Sequence, residues 1–287
     1  PAYGPELASY NIARSSSTYD IDRLGEFTAS YKKQLGRHHV DALIGYTLQR
    51  KTYDRLGVQA TGFADDRIHE VTAHGPKDSD VSLYETRKAA WSMMSYLARL
   101  NYSFDDRYTV TGTFRTDGSS RFGVNNRWGY FPSASLAWRV SGEDFFTKAK
   151  FLSFVDDLKI RTSYGVTGNF QIGNYDHLSL MALDNYILGT GNGQLVQGYK
   201  PNTIKNDDLS WEKNAMVNVG VDLQMFKGLL GITVDYYNTN TSNMLLNVPV
   251  PHLTGYSTAL MNIGKVNNRG WEIALTSQKN FTKDFGY

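Results

Sequence analysis

The side chains best able to recognise a ligand fall in one stretch of the chain. It reads Arg115-Thr116-Asp117-Gly118-Ser119-Ser120-Arg121-Phe122-Gly123, then Asn126-Arg127-Trp128-Gly129-Tyr130-Phe131-Pro132-Ser133. Arg115 and Arg121 can donate charge-assisted hydrogen bonds to a polar ligand, with Asp117 as an acceptor between them. Trp128, Tyr130 and Phe131 offer flat faces of the kind that stack on the apolar side of a sugar ring. The same residue types also support a structural reading. Gly and Ser set the turns of a loop, Arg and Asp brace it, and aromatics gather in a belt at a membrane interface.

Other clusters carry less chemistry. Asp65-Asp66 and Asp78-x-Asp80 supply oxygen donors without the glycine and distal glutamate of a calcium loop. His38 and His39 are neighbours on a predicted strand and point to opposite faces, and His69 and His74 have no cysteine near them, so no metal is expected. Gly189-x-Gly191-x-Gly193 opens no helix and lacks the Lys-Ser/Thr of a phosphate loop. No nucleophile elbow, metal-binding helix or isolated carboxylate pair is visible, so neither an enzyme nor a cofactor is expected. A formal charge of +2 gives no electrostatic case for a nucleic-acid partner. With no cysteine, disulfides are excluded and the redox compartment is unreadable. The chain holds 19 Tyr, 14 Phe and 5 Trp, an aromatic load that asks for an explanation.

The elements that must position these residues are strands. Tyr108, Val110 and Phe114 alternate with Thr109, Thr111, Thr113 and Arg115. Ala134, Leu136, Trp138 and Val140 alternate with Ser133, Ser135, Ala137 and Arg139. A period of two means one apolar and one polar face, so this reads as a hairpin with a loop from Thr116 to Gly129. Further strands are predicted at 19–34, 38–50, 86–104, around Leu158–Val166, at Ala215–Met225, from Leu230 to Tyr237, and at Trp271–Leu275. Long connections are predicted at 51–85, 168–210 (with short strands near Tyr175–Leu188) and 241–268. Residues 1–19 read as loop, a helical turn is predicted around Phe145–Phe151, and a turn at 280–286.

Short and long connections alternate along this series, and tyrosines and tryptophans sit near strand ends. Both are habits of outer-membrane barrels, with short periplasmic turns and long outer loops. No run is apolar enough for a membrane helix, which leaves strands as the only way across. An antiparallel β-sandwich, secreted or surface-bound and gripping glycans without transport, would alternate as well and stays open on pattern alone. The chain shows no signal peptide, and both ends read as cut.

The quoted stretch 115–133 closely resembles the SusC/RagA family of TonB-dependent outer-membrane transporters of Bacteroidetes. So do segments that follow in the family's order. They are 158–169 (LKIRTSYGVTGN), Ile172-Gly173-Asn174-Tyr175, Leu209-Ser210-Trp211-Glu212, Val234-Asp235-Tyr236-Tyr237 and 262–272 (NIGKVNNRGWE). The resemblance implies an all-β chain, in which residues 1–287 form about 9–10 strands of a 22-stranded antiparallel transmembrane barrel. Plug domain and C-terminal strands would lie outside it. It implies import of oligosaccharide or peptide cargo across the outer membrane, a SusD-like surface lipoprotein as partner, and TonB contact through missing N-terminal regions. Arg115, Arg139, Asn218, Asp222 and Asp235 would face the lumen, against plug or passage. Trp128, Tyr130, Arg115, Asp117 and Arg121 are the candidate ligand contacts.

Overall fold

A computed structural model describes residues 12–61, 81–189 and 193–278. Its strands are β1 (Ile12–Leu35), β2 (His38–Thr61), β3 (Val81–Phe104), β4 (Tyr108–Ser119), β5 (Trp128–Arg139), β6 (Val155–Asn169), β7 (Met181–Leu188), β8 (Gln194–Pro201), β9 (Glu212–Met225), β10 (Leu230–Pro249) and β11 (Thr258–Ser277). A helical turn, α1 (Asp144–Thr147), follows β5 where one was predicted. Nine strands form one sheet in the order β1-β2-β3-β4-β5-β6-β9-β10-β11, and β7 pairs only with β8. A sandwich needs two sheets face to face. This single sheet of sequential antiparallel neighbours corrects that alternative.

The chain divides into two compact units, Pro1–Leu24 with Gln49–Ser92, and Gly25–Leu48 with Met93–Tyr287. In the first, the far ends of β1–β3 are held by polar cross-strand pairs. Lys51 bonds Asp20 at 2.9 Å, Arg55 pairs with Glu85 at 3.2 Å, and Arg14 lies over the Tyr84 ring. Strand continues here through 51–61 and 12–19, where loop was expected. Polar residues dominate much of both stretches, Arg14 to Thr18 and Lys51 to Arg55, so the period-two signal fades although the ladder does not.

The second unit explains the alternation. One row of opposed residues runs Tyr108, Trp138, Ile160, Val221, Val234, Ile273 across β4, β5, β6, β9, β10 and β11. The row beside it runs Arg139, Lys159, Asp222, Thr233. The apolar row is the open one: Tyr108, Trp138, Ile160, Val221 and Ile273 are 36–69% exposed. An apolar face this wide and this bare is unstable in water and at home in hydrocarbon.

Connections alternate by side. At one end lie the turns after β1, β3, β5 and β9. At the other lie the connections after β4, β6 and β10. The first group contains tight reversals at 105–107 and 226–229, with positive φ at Asp105, Asp106, Phe226 and Lys227. The hairpin loop expected from Thr116 to Gly129 is shorter than expected, because β4 runs to Ser119 and β5 begins at Trp128. Likewise β10 and β11 extend to Pro249 and from Thr258, through much of the stretch 241–268 read as loop. Glycine and asparagine suggested turns there, yet backbone pairing needs no apolar side chain.

Candidate functional site

The connections on the loop side are fastened by a small aromatic hub. Phe122 is fully buried and Trp211 nearly so. The Trp211 ring lies 4.8 Å from Phe122, 5.4 Å edge-on from Phe131 and 5.8 Å from Phe170. Its indole Nε1 donates to the Arg127 carbonyl at 3.0 Å. The glycines of the motif make room for this packing. A side chain at Gly129 or Gly168 would overlap the Phe131 ring, and one at Gly123 would run into the Asp207 carbonyl.

Arg121 reaches from the β4–β5 connection into the β6–β9 one. Its Nε donates to Asn174 Oδ1 at 3.0 Å, another guanidinium nitrogen donates to the Phe170 carbonyl at 3.3 Å, and the group lies over the Phe170 ring. Burial lowers its guanidinium below the usual arginine range. His177 Nδ1 donates to the Arg121 carbonyl at 3.0 Å. Asn126 donates to the Asp208 carbonyl, while Asn262 exchanges hydrogen bonds with the Ser210 backbone. The connections after β4 and β6 are thereby sewn to each other and to β11.

Arg115 and Asp117 form a forked pair at 2.9 and 2.8 Å, and Arg115 also donates to Ser95 Oγ. Asp117 and Ser95 are buried beneath it. Trp128 and Tyr130 stand on the opposite, apolar face. Trp128 covers Gly118 and stacks on Tyr96 at 6.1 Å, and Tyr130 stacks on Phe114 at 6.3 Å. Residue types could not separate bracing from ligand contact. The geometry gives each arginine a protein partner and puts both aromatics on the side of Phe114 and Leu136.

Arg139, Asn218, Asp222 and Asp235 lie together on the polar face. Arg139 pairs with Asp157 at 2.8 Å, and Asn218 stands opposite Ser163 and Tyr237. Asp222 and Asp235 converge on a residue the sequence reading passed over, Arg161. Its guanidinium holds Asp222 Oδ2 at 3.0 Å and Asp235 Oδ2 at 2.6 Å, and Thr233 donates to Asp222 Oδ1 at 3.2 Å. Gly220 lies opposite both Arg161 and Asp235 and lets the pair cross β9, since a Cβ there would overlap both. The signal for Arg161 was present, because it alternates with Ile160 and Tyr164 in a strand already read.

At the short-turn rim, Asp105 is gripped by Arg37 and pairs with Arg107 at 3.0 Å. Glu143 accepts from the Tyr108 hydroxyl, from Trp138 Nε1 at 3.2 Å and from Arg107 at 3.3 Å. The Arg37 hydrogen bond holds Asp105 below the usual carboxylate range, and the Tyr108 and Trp138 bonds do the same for Glu143. A carboxylate whose pKa falls on folding adds stability above its unfolded value near ~4 and loses it as pH falls through the folded value. Asp105→Asn should therefore lower the thermal midpoint at pH 7, and the gap to wild type should close toward pH 3.

The described residues hold no trio of His, Asp and Glu placed to bind a metal. Asp65, Asp66, Asp78, Asp80, His69, His74, most of the Gly189–Gly193 repeat and the turn at 280–286 lie outside the described residues. The site offers hydrogen bonds, ion pairs and apolar surface.

Comparison with known proteins agrees with this geometry. The family described as TonB dependent receptor-like, beta-barrel matches residues 3–287. The chain is 36% identical over 266 residues to TonB-dependent receptor P39 of Formosa agariphila, spanning 92% of this chain and 24% of the relative. It is 34% identical over 257 residues to TonB-dependent receptor SusC of Bacteroides thetaiotaomicron, spanning 89% of this chain and 25% of the relative. The chain thus covers about a quarter of these relatives' length. Among solved structures, the RagAB peptide transporter superposes with a TM-score of 0.83 at 31% identity, over 95% of this chain and 29% of that one.

Proposed function

The chain belongs to the TonB-dependent receptor family, in its SusC/RagA branch, and on that premise we propose that its full protein imports oligosaccharides or peptides across the outer membrane. The observation that carries the proposal is the match to the RagAB peptide transporter over nearly the whole chain. The bare apolar face supports it, because a wall that turns its oily side outward belongs in a bilayer. Trp128 and Trp138 mark its limits on β5. They are about ten residues apart, and at ~3.3 Å per residue and a ~45° tilt they span about 23 Å, close to the apolar band of an outer-membrane barrel.

In this reading the Arg161–Asp222–Asp235 network, Arg139 and Asn218 face the plug or the passage. Arg115, Asp117 and Arg121 hold the outer connections in shape, and Trp128 and Tyr130 sit at the outer membrane boundary. A SusD-like lipoprotein would cover the outer mouth, and TonB would act through segments outside this chain.

The test is mild-detergent extraction of the full-length protein from native outer membranes, with mass spectrometry of what comes with it. A surface lipoprotein together with a sugar or peptide is the expected result. Recovery from the soluble or secreted fraction with no lipoprotein attached would overturn the proposal.

A further inference from the structure

Above the apolar rows, the outward face of β9, β10 and β11 changes character. Tyr236 and Trp271 stand opposite each other with rings 5.0 Å apart, the last aromatic pair before the loop side. Two residues further along, Arg269 stands opposite Asn238. Next come Asn267 opposite Asn240 and Lys265 opposite Ser242, with Lys213 on the other side of Ser242. All continue the face of Val217, Val219, Val221, Ile273 and Leu275, which the bilayer covers. No Asp or Glu occupies an outward position of these three strands, since Glu212, Asp222, Asp235 and Glu272 all alternate to the polar side.

The three cations differ from Arg139 and Arg161 on the polar face. Arg139 and Arg161 are neutralised by aspartates. Among the described residues, Lys213, Lys265 and Arg269 have no hydrogen-bond or ion-pair partner, and all are exposed. The asparagines between them satisfy one another: Asn267 donates to Asn238 Oδ1 at 2.6 Å and to Asn240 Oδ1 at 2.8 Å. Lys213 and Lys265 are two strands apart, about 10 Å, so their side chains can converge on one anion above Ser242. Arg269, about 13 Å further down the strand, lies nearest the aromatic boundary.

We propose that Lys213, Lys265 and Arg269 bind the phosphorylated headgroup of an outer-leaflet lipid. Position selects a lipid as the source of the phosphate. The cations stand on the membrane-facing side just beyond the aromatic pair, where headgroups lie, and they face away from the passage that cargo would use. The inference rests on the membrane placement of the wall and is independent of cargo.

The test uses the full-length receptor in detergent, titrated with phosphorylated lipid A and with its dephosphorylated form, with bound lipid read by native mass spectrometry. Each cation near an anionic lipid contributes about a fivefold gain in binding. The combined Lys213→Ser, Lys265→Ser and Arg269→Ser variant should lose affinity on the order of 100-fold. Lys213→Arg with Lys265→Arg should retain it, which separates loss of charge from misfolding. Equal binding of the dephosphorylated lipid, unchanged binding by the serine variant, or displacement by millimolar inorganic phosphate would each overturn the proposal. Cargo and lipoprotein recovery report separately on the transport reading.

Discussion

Replacing Trp211 with alanine should loosen the outer connections by about 3–5 kcal/mol, the usual cost of removing a buried large aromatic. Three rings lose their common partner, and the Arg127 carbonyl loses its donor. Trp211→Phe separates these contributions. It keeps most of the contact with Phe122 and Phe131 and forfeits the hydrogen bond, worth about 1–2 kcal/mol. The wall should survive both changes, because the hub touches the strands only at Met93, Phe131, Val166 and Leu245 and leaves the apolar row from Tyr108 to Ile273 untouched. Limited proteolysis of the full receptor in detergent checks this, alongside its heat-dependent gel mobility. The expected result is faster cleavage in 120–127 and 170–210 for Trp211→Ala, with the barrel's mobility unchanged. Identical cleavage in wild type and variant would show that the hub does not hold those loops.

How much of this was legible in the sequence follows from what each face must satisfy. Where lipid covers one face, alternation has to be strict, and the strand cores at Ala215–Met225 and Leu230–Tyr237 were readable residue by residue. Beyond the hydrocarbon both faces meet water, so Asn238, Asn240, Asn267 and Asn268 look like loop while their backbones remain in the ladder. The hub was half legible. Its glycines and aromatics stood out as a motif, but Trp211 is 84 residues from the Arg127 carbonyl it bonds, and no local pattern reports a contact of that range. Trp128 and Phe131 show the same limit from the other side. Only two residues separate them, yet one faces outward and the other is buried in the hub. Strand parity tells that they differ, and only the fold tells which is inside.

Arg161 is the second position where a large effect is expected. Arg161→Met would leave Asp222 and Asp235 facing each other across Gly220 without their cation. Asp235 depends on it most, since its Oδ1 is buried and accepts no hydrogen bond from the described residues. Removing one partner from a fully buried ion pair costs about 3–5 kcal/mol. Arg161 and Asp222 keep about a third of their side-chain surface, so the expected loss here is smaller, about 2–3 kcal/mol. Much of that loss is repulsion between stranded carboxylates and not lost attraction, so neutralising them should repair it. The Arg161→Met, Asp222→Asn, Asp235→Asn combination should recover most of the wild-type unfolding midpoint. Gly220→Ala should reproduce part of the single-variant loss with every charge intact, because its methyl occupies the space through which the guanidinium reaches Asp235. The unfolding midpoints of the four proteins in one detergent decide the matter. If the triple variant is no more stable than Arg161→Met alone, the network does not act through charge, and the arginine serves the wall by packing alone.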